Sequence, residues 1–114
     1  MRIGLIGTGN IGRPIAMNLL KAGFELTIYA RRKHAVQDLV EMGARLVENP
    51  KEVAKNSEVV ITCLPGPNDL RQVVLDENGV LTGAKTGDTI ISMDTMGPSV
   101  VREIAEVAKK KGVR

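Results

Sequence analysis

At 114 residues with a net charge of +3, the chain is long enough for one domain with a single sizeable core and too short for two full domains. No apolar run approaches the roughly 20 residues that span a bilayer, and no signal-peptide cleavage site follows the opening apolar run, so we expect a cytoplasmic protein that contacts no membrane. One Phe, one Tyr and no Trp leave almost no aromatic surface for stacking bases, which argues against binding of nucleic acid.

Strand-like and helix-like periods alternate along the first half of the chain. Gly23 and Gly43 end two helical runs, and Asn49 followed by Pro50 predicts the capped start of a third helix. The predicted elements are, in chain order, a strand at 2–7, a helix at 11–22, a strand at 25–30, a helix at 35–42, a strand at 44–47 and a helix from 50 to about 56.

The second half continues the alternation. The apolar run at 59–64 is typical of a strand covered on both faces in a parallel sheet, and its single Cys63 is expected to be a buried, unreactive thiol. The predicted elements are a strand at 59–64, a helix from 67 or 68 to about 75, a turn at 78–79, a strand at 89–93, and a last helix from Pro98 with Val101, Ile104, Ala105 and Ala108 on one face.

Repeated β-α units with short connections predict an α/β fold with a parallel, doubly wound sheet and right-handed crossovers. Ligands of such sheets bind beyond the carboxyl ends of the strands, at the point where the strand order reverses. The candidate loops are therefore those that follow Ile6, Tyr29, Cys63 and Met93.

The first of these loops contains the pattern G-x-G-x-x-G, formed by Gly7, Thr8, Gly9, Asn10, Ile11 and Gly12. Its position between a predicted strand and a predicted helix is that of the dinucleotide-binding loop of a Rossmann-type fold. Gly7 would permit a tight turn, Gly9 would let the backbone approach a diphosphate, and Gly12 would let the helix pack closely on the strands. The N–H groups of Asn10 and Ile11 would then bind the anion. The simpler alternative is that the glycines only make a turn.

The second loop indicates which dinucleotide is expected. An NAD site usually places Asp or Glu roughly 20 residues beyond the glycines, at the end of the second strand. At that place this chain has Tyr29, Ala30, Arg31, Arg32 and Lys33, without a carboxylate. A guanidinium can pair with a 2′-phosphate through two hydrogen bonds, so Arg31 and Arg32 favour NADP, with NAD as the second choice. The alternative is a solvated basic turn.

Three segments, GLIGTGNIGRPIAMNLLKAGFELTIYARR, VITCLPGP and MDTMGPSVVREIAEVAKKKGV, resemble the β-hydroxyacid dehydrogenases, a family that includes 3-hydroxyisobutyrate dehydrogenase, tartronate semialdehyde reductase and 6-phosphogluconate dehydrogenase. The resemblance covers essentially the whole chain, although Thr8 and Ile11 stand where Leu and Met are usual. It implies an NADP-dependent oxidoreductase whose substrate is a small hydroxyacid or semialdehyde, and which forms a homo-oligomer when full length. Arg31 matches the family's arginine at the adenosine phosphate.

Further site residues follow from the resemblance alone. Leu64 and Pro65 match a Leu-Pro pair that lies against the cofactor ribose, and Thr95 matches a threonine near the nicotinamide. Proline also commonly follows the end of a strand for structural reasons alone, so a purely structural role for Leu64 and Pro65 stays open. Ser92 and Asp94 stand where the family has Asp and Ser, and an Asp in that loop would repel an anionic substrate, which leaves the substrate open.

The family's catalytic lysine, a general acid or base, lies in a later helical domain, and none of the lysines of this chain matches it. We therefore expect residues 1–114 to be one NAD(P)-binding domain, truncated before the substrate domain. We expect this NAD(P)-binding domain to hold no metal and no catalytic residue. Such a domain would bind NADPH and would not oxidise a hydroxyacid by itself. Two alternatives stay open: a non-catalytic module that senses NADP or mediates assembly, and the cofactor half of an imine reductase or a cofactor F420 reductase.

Overall fold

The computed structural model describes residues 1–7, 12–30, 36–64, 67–92 and 98–113. These ranges contain five strands and six helices, which alternate except that α4 and α5 follow each other. In chain order they are β1 Arg2–Ile6, α1 Gly12–Lys21, β2 Glu25–Tyr29, α2 Gln37–Glu41, β3 Arg45–Leu46, α3 Pro50–Lys55, β4 Val59–Thr62, α4 Pro67–Leu75, α5 Val80–Gly83, β5 Thr89–Ser92 and α6 Pro98–Lys110.

All five strands are parallel and form one sheet in the order β3-β2-β1-β4-β5. The chain first builds outward from β1 to β3, then returns to the other side of β1 to add β4 and β5. The strand order therefore reverses between β1 and β4, where the central strand places Ile6 beside Thr62 in register. The parallel, doubly wound sheet predicted from the sequence is confirmed. Sheets of this kind bind ligands beyond the carboxyl ends of the strands at such a reversal, which here are those of β1 and β4.

Helices cover both faces of the sheet because alternate residues of each strand point to opposite sides. On one face, Leu5 and Ile28 are fully buried beneath α1 and α2. On the other face, Ile6 and Val60 pack beneath α3, α4, α5 and α6. An apolar core thus packs against each face of the sheet. No helix in the described ranges is long and apolar enough to cross a membrane.

The predicted elements are present, with differences at their ends. β3 has only two residues and β4 ends at Thr62. Helix α2 begins at Gln37 because Val36, with φ −118° and ψ 14°, does not have an α-helical backbone. The short helix α5 was not predicted. Its four residues are too few to show a helical period, yet Val80 and Leu81 are buried.

Two side chains are more exposed than the sequence suggested. Cys63 is only half-buried, because it follows the last residue of β4 at the open edge of the sheet. Ala105 is exposed, while Ile104 and Ala108 are buried, so the core-facing stripe of α6 is narrower than the spacing of its apolar residues suggested. Met93 lies outside the described residues.

The N-cap of α3 provides a test of local stability. The side-chain oxygen of Asn49 accepts a hydrogen bond of 2.9 Å from the backbone N–H of Glu52, and Pro50 occupies the first turn. Asn49→Ala should lower the free energy of unfolding by about 1 kcal/mol because that N–H loses its partner. Asn49→Asp should retain the stability, since a carboxylate accepts the same bond. Equal denaturant midpoints for the alanine variant and the wild type would contradict this role of the cap.

Candidate functional site

The chain leaves β1 through a turn that only glycine tolerates. Gly7 has a φ of +93°, a left-handed conformation that other residues rarely adopt. A Cβ at this position would collide with the carbonyl oxygen of Cys63 and lie 2.8 Å from its carbonyl carbon. Both the backbone conformation and the neighbouring strand therefore exclude a side chain at Gly7.

The start of α1 packs equally closely against this turn. Gly12 is buried, and a Cβ added to it would collide with the carbonyl oxygen of Gly7 and lie 3.5 Å from the Cβ of Cys63. The first turn of α1 therefore rests on the ends of both β1 and β4. Its N–H groups carry the positive end of a ten-residue helix, and the turn, as described from Gly12, contains no acidic side chain. An anion at this edge would meet a favourable potential.

The end of β4 forms the second wall of this junction. The N–H of Cys63 donates a hydrogen bond of 2.9 Å to the carbonyl oxygen of Ile6, which extends the pairing of β4 with β1. Leu64 lies beside the turn, since its Cδ2 would be 3.2 Å from a Cβ at Gly7. Gly7, Gly12 and Leu64, which the sequence assigned to one site, are thus close together.

The end of β2 lies next to the same turn. Tyr29, the last residue of β2, pairs in register with Ile6, the last residue of β1. Since paired strands lie about 4.8 Å apart, the loops that follow β1 and β2 leave the sheet from neighbouring positions. The other predicted site residues lie outside the described residues: Thr8, Gly9, Asn10, Ile11, Arg31, Arg32, Pro65 and Thr95.

An ion pair at this edge was missed by the sequence analysis. Arg13, the second residue of α1, donates a hydrogen bond to the carboxylate of Asp38, the second residue of α2. That hydrogen bond and the charge of Arg13 lower the pKa of Asp38 below its ordinary value. The two residues are 25 positions apart, and no sequence pattern links them. Only the adjacency of β1 and β2 brings their helices together.

The ranges that the structure describes contain no group of three or more His, Cys, Asp and Glu that could hold a metal ion. The features of this edge are of a kind that favours an anion. It consists of bare main chain, a helix N-terminus and a loop that is basic in sequence.

Comparisons with known proteins point in one direction. A family profile described as the NAD binding domain of 6-phosphogluconate dehydrogenase matches residues 2–114. The chain is 40% identical over 111 residues to an Arabidopsis thaliana protein named probable 3-hydroxyisobutyrate dehydrogenase-like 1, mitochondrial, and the match covers 96% of this chain and 33% of that protein. The chain thus spans about a third of the length of this curated relative.

Solved structures resemble the chain over nearly its full length. The 3-hydroxyisobutyrate dehydrogenase of Mycobacterium tuberculosis with L-serine superposes with a TM-score of 0.88 at 27% identity, covering 98% of this chain and 38% of that chain. An imine reductase from a Pseudomonas species superposes with a TM-score of 0.83 at 25% identity, with 98% and 38% covered.

The profile match spans almost the entire chain, and the strand order is that of a Rossmann-type domain. The chain therefore belongs to the family described as the NAD binding domain of 6-phosphogluconate dehydrogenase.

Proposed function

We propose that this chain binds NADP(H) as the cofactor domain of a dehydrogenase that transfers hydride between NADP(H) and a small hydroxyacid or semialdehyde. One observation carries the proposal. At the point where the strand order reverses, Gly7 and Gly12 bring the backbone of β1 and α1 so close together that no Cβ fits between them. A diphosphate needs such an approach, because main-chain N–H groups can contact it only where side chains do not intervene.

The charges near this junction fit an anionic cofactor. The first turn of α1 contains no described acidic side chain, and Arg13 is its second residue. Asp38 is the carboxylate that faces Arg13, and it is already held in an ion pair. In this proposal Gly7, Gly9, Gly12 and the N–H groups of Asn10 and Ile11 surround the diphosphate, with Thr8 in the same turn.

The preference for NADP over NAD rests on the end of β2. The chain there continues from Tyr29 into a segment that has Arg31 and Arg32 and no carboxylate through position 33. We infer that Arg31 binds the 2′-phosphate, with Arg32 beside it, since a guanidinium pairs with phosphate through two charge-assisted hydrogen bonds. The register between Tyr29 and Ile6 supports this, because it starts the basic segment next to the glycine turn.

The bound nicotinamide would supply the hydride acceptor or donor, and the chain would hold and orient it. Leu64, Pro65 and Thr95 are proposed to contact its ribose and nicotinamide, and Leu64 already lies beside Gly7. The substrate, a homo-oligomeric state and a cytoplasmic location belong to the same proposal for the whole protein, although the relative from Arabidopsis thaliana is named as mitochondrial.

A second candidate is the cofactor half of an imine reductase, which the likeness to the Pseudomonas enzyme supports. Both candidates use the same nucleotide site, so only the substrate separates them. The full-length protein should be assayed with NADP and 3-hydroxyisobutyrate, and separately with NADPH and a cyclic imine. Reduction of the imine without oxidation of the hydroxyacid would favour the second candidate.

Gly12→Ala tests the close approach of the backbone. The new Cβ would collide with the Gly7 carbonyl oxygen and displace the first turn of α1. We expect NADPH to bind at least about tenfold more weakly in a fluorescence titration, because one charge-assisted hydrogen bond contributes about 1.5–3 kcal/mol.

Gly112→Ala is the matched control for general destabilisation. Gly112 has a φ of +74°, and a Cβ there would lie 2.8 Å from the methyl of Thr86, near the start of β5 at the opposite edge of the sheet. This variant should lose stability and keep its NADPH affinity. Wild-type affinity in Gly12→Ala would contradict the proposed diphosphate site.

Arg31→Ala tests the cofactor preference. Because Arg31 is proposed to meet only the 2′-phosphate, the variant should bind NADPH roughly 10- to 100-fold more weakly and NADH almost unchanged. Arg45→Ala removes the same charge at the start of β3 and should change neither affinity. Equal affinities of the wild type for NADPH and NADH would show the preference to be wrong.

The 114-residue chain is expected to bind cofactor without turnover. None of its lysines matches the family's catalytic lysine, so no group is assigned to move the substrate proton. Incubation with NADP and 3-hydroxyisobutyrate should produce no NADPH absorbance above the substrate-free control. Sustained NADP reduction by the purified chain would contradict this expectation.

A further inference from the structure

A cavity of about 370 Å³ opens at the amino ends of the first three strands, at the end of the sheet opposite the proposed cofactor site. This volume falls within the roughly 300–1,000 Å³ that is typical of small-molecule sites. The cavity is lined by the first residues of β1, β2 and β3, which are Arg2, Glu25 and Arg45, and by Thr27 and Asn56 among others. All of these residues lie within the described ranges, so their contacts can be compared directly.

The short third strand leaves the space for this cavity. The two residues of β3 pair with Thr27 and Ile28 of β2. Glu25, at the start of β2, therefore has β1 on one side and no strand of the described ranges on the other. Arg45 pairs with Thr27, and Glu25 lies two residues before Thr27, so the side chains of Glu25 and Arg45 are on the same face of the sheet.

The guanidinium of Arg45 is held in place by a neutral partner. Its Nη1 donates a hydrogen bond of 3.1 Å to the side-chain oxygen of Asn56. The side-chain nitrogen of Asn56 donates in turn to the carbonyl oxygen of Glu52 at 2.8 Å, which fixes the orientation of the amide. In the part of the chain that the structure describes, no carboxylate pairs with Arg45. The amide therefore orients the guanidinium without neutralising its charge, and most of the five N–H donors of Arg45 are left for a ligand.

The other two charged groups of the cavity differ in their partners. Arg2 has a counter-ion, because its Nε lies 3.6 Å from the carboxylate of Glu58, and the same oxygen accepts a hydrogen bond of 3.2 Å from the backbone N–H of Arg2. The carboxylate of Glu25 has neither an ion pair nor a hydrogen bond among the described residues. The cavity thus contains one cation, Arg45, and one anion, Glu25, whose charges no described side chain compensates.

We propose that this cavity binds a small α-amino acid, whose carboxylate pairs with Arg45 and whose ammonium group pairs with Glu25. A simple anion would be attracted by Arg45 and repelled by Glu25, and a simple cation would meet the reverse. A ligand with both charges gains both contacts, and its carboxylate can accept two hydrogen bonds from one guanidinium. The inference does not depend on the proposed cofactor, because the cavity lies at the other end of the strands.

Titration of the 114-residue chain with L-alanine, followed by its amide signals in NMR spectra, tests the proposal. Saturable shifts should be largest at residues 25–27, 43–45 and 56, which surround the cavity. Acetate and methylammonium each carry one of the two charges and should bind at least about tenfold more weakly, because each lacks one charge-assisted hydrogen bond. A response to L-alanine that does not saturate, or equally tight binding of acetate, would overturn the proposal.

Two variants with matched controls test the assignment of the two charges. Arg45→Gln and Glu25→Gln should each weaken the binding of L-alanine at least about fivefold, since each removes one ionic contact. Arg102→Gln and Glu106→Gln remove the same charges from α6 and should bind L-alanine as the wild type does. All four side chains are exposed, so the variants should fold, which the dispersion of their amide signals checks. Wild-type affinity in Arg45→Gln or in Glu25→Gln would contradict the proposed contacts.

Discussion

The contact between the first residue of α1 and the turn at the end of β1 is the constraint on which the site depends. Gly12 rests against the carbonyl of Gly7, and Gly7 rests against the carbonyl of Cys63, so the main chains at the ends of β1 and β4 and at the start of α1 are in close contact. A side chain at Gly7 or Gly12 would push these elements apart. Close packing thus places the N-terminus of α1 at the carboxyl ends of β1 and β4, and the N–H groups of a helix N-terminus favour an anion.

The sheet places the starts of several loops beside this local contact. Because β1 lies at the centre of the order β3-β2-β1-β4-β5, its carboxyl end is flanked by the ends of β2 and β4. The Tyr29–Ile6 and Ile6–Thr62 registers align these three ends. Apolar cores on both faces keep the strands in place, so loops that are distant in sequence begin at neighbouring points.

Much of the fold could be predicted, because the hydrophobic periodicity of each segment and the residues that begin or end its helices agree with the tertiary structure. Asn49 and Pro50 start α3, and Gly23 and Gly43 follow the helices that they were predicted to end. The helix α5 was not predicted, because four residues are too few to show the helical spacing of apolar side chains. The Arg13–Asp38 ion pair was not predicted either, because it depends on the adjacency of two strands. The close contact between Gly7 and Gly12 could be predicted from the sequence, because a position that excludes a side chain requires glycine, and glycine is visible in the sequence.

The most direct measurement is a crystal structure of the chain grown with NADPH. The account predicts the diphosphate against the main chain between Gly7 and Gly12, with the first-turn N–H groups of α1 directed at it, and the 2′-phosphate beside Arg31 at the end of β2. A nucleotide bound away from the carboxyl ends of β1 and β4, or a diphosphate contacted only by side chains, would contradict it.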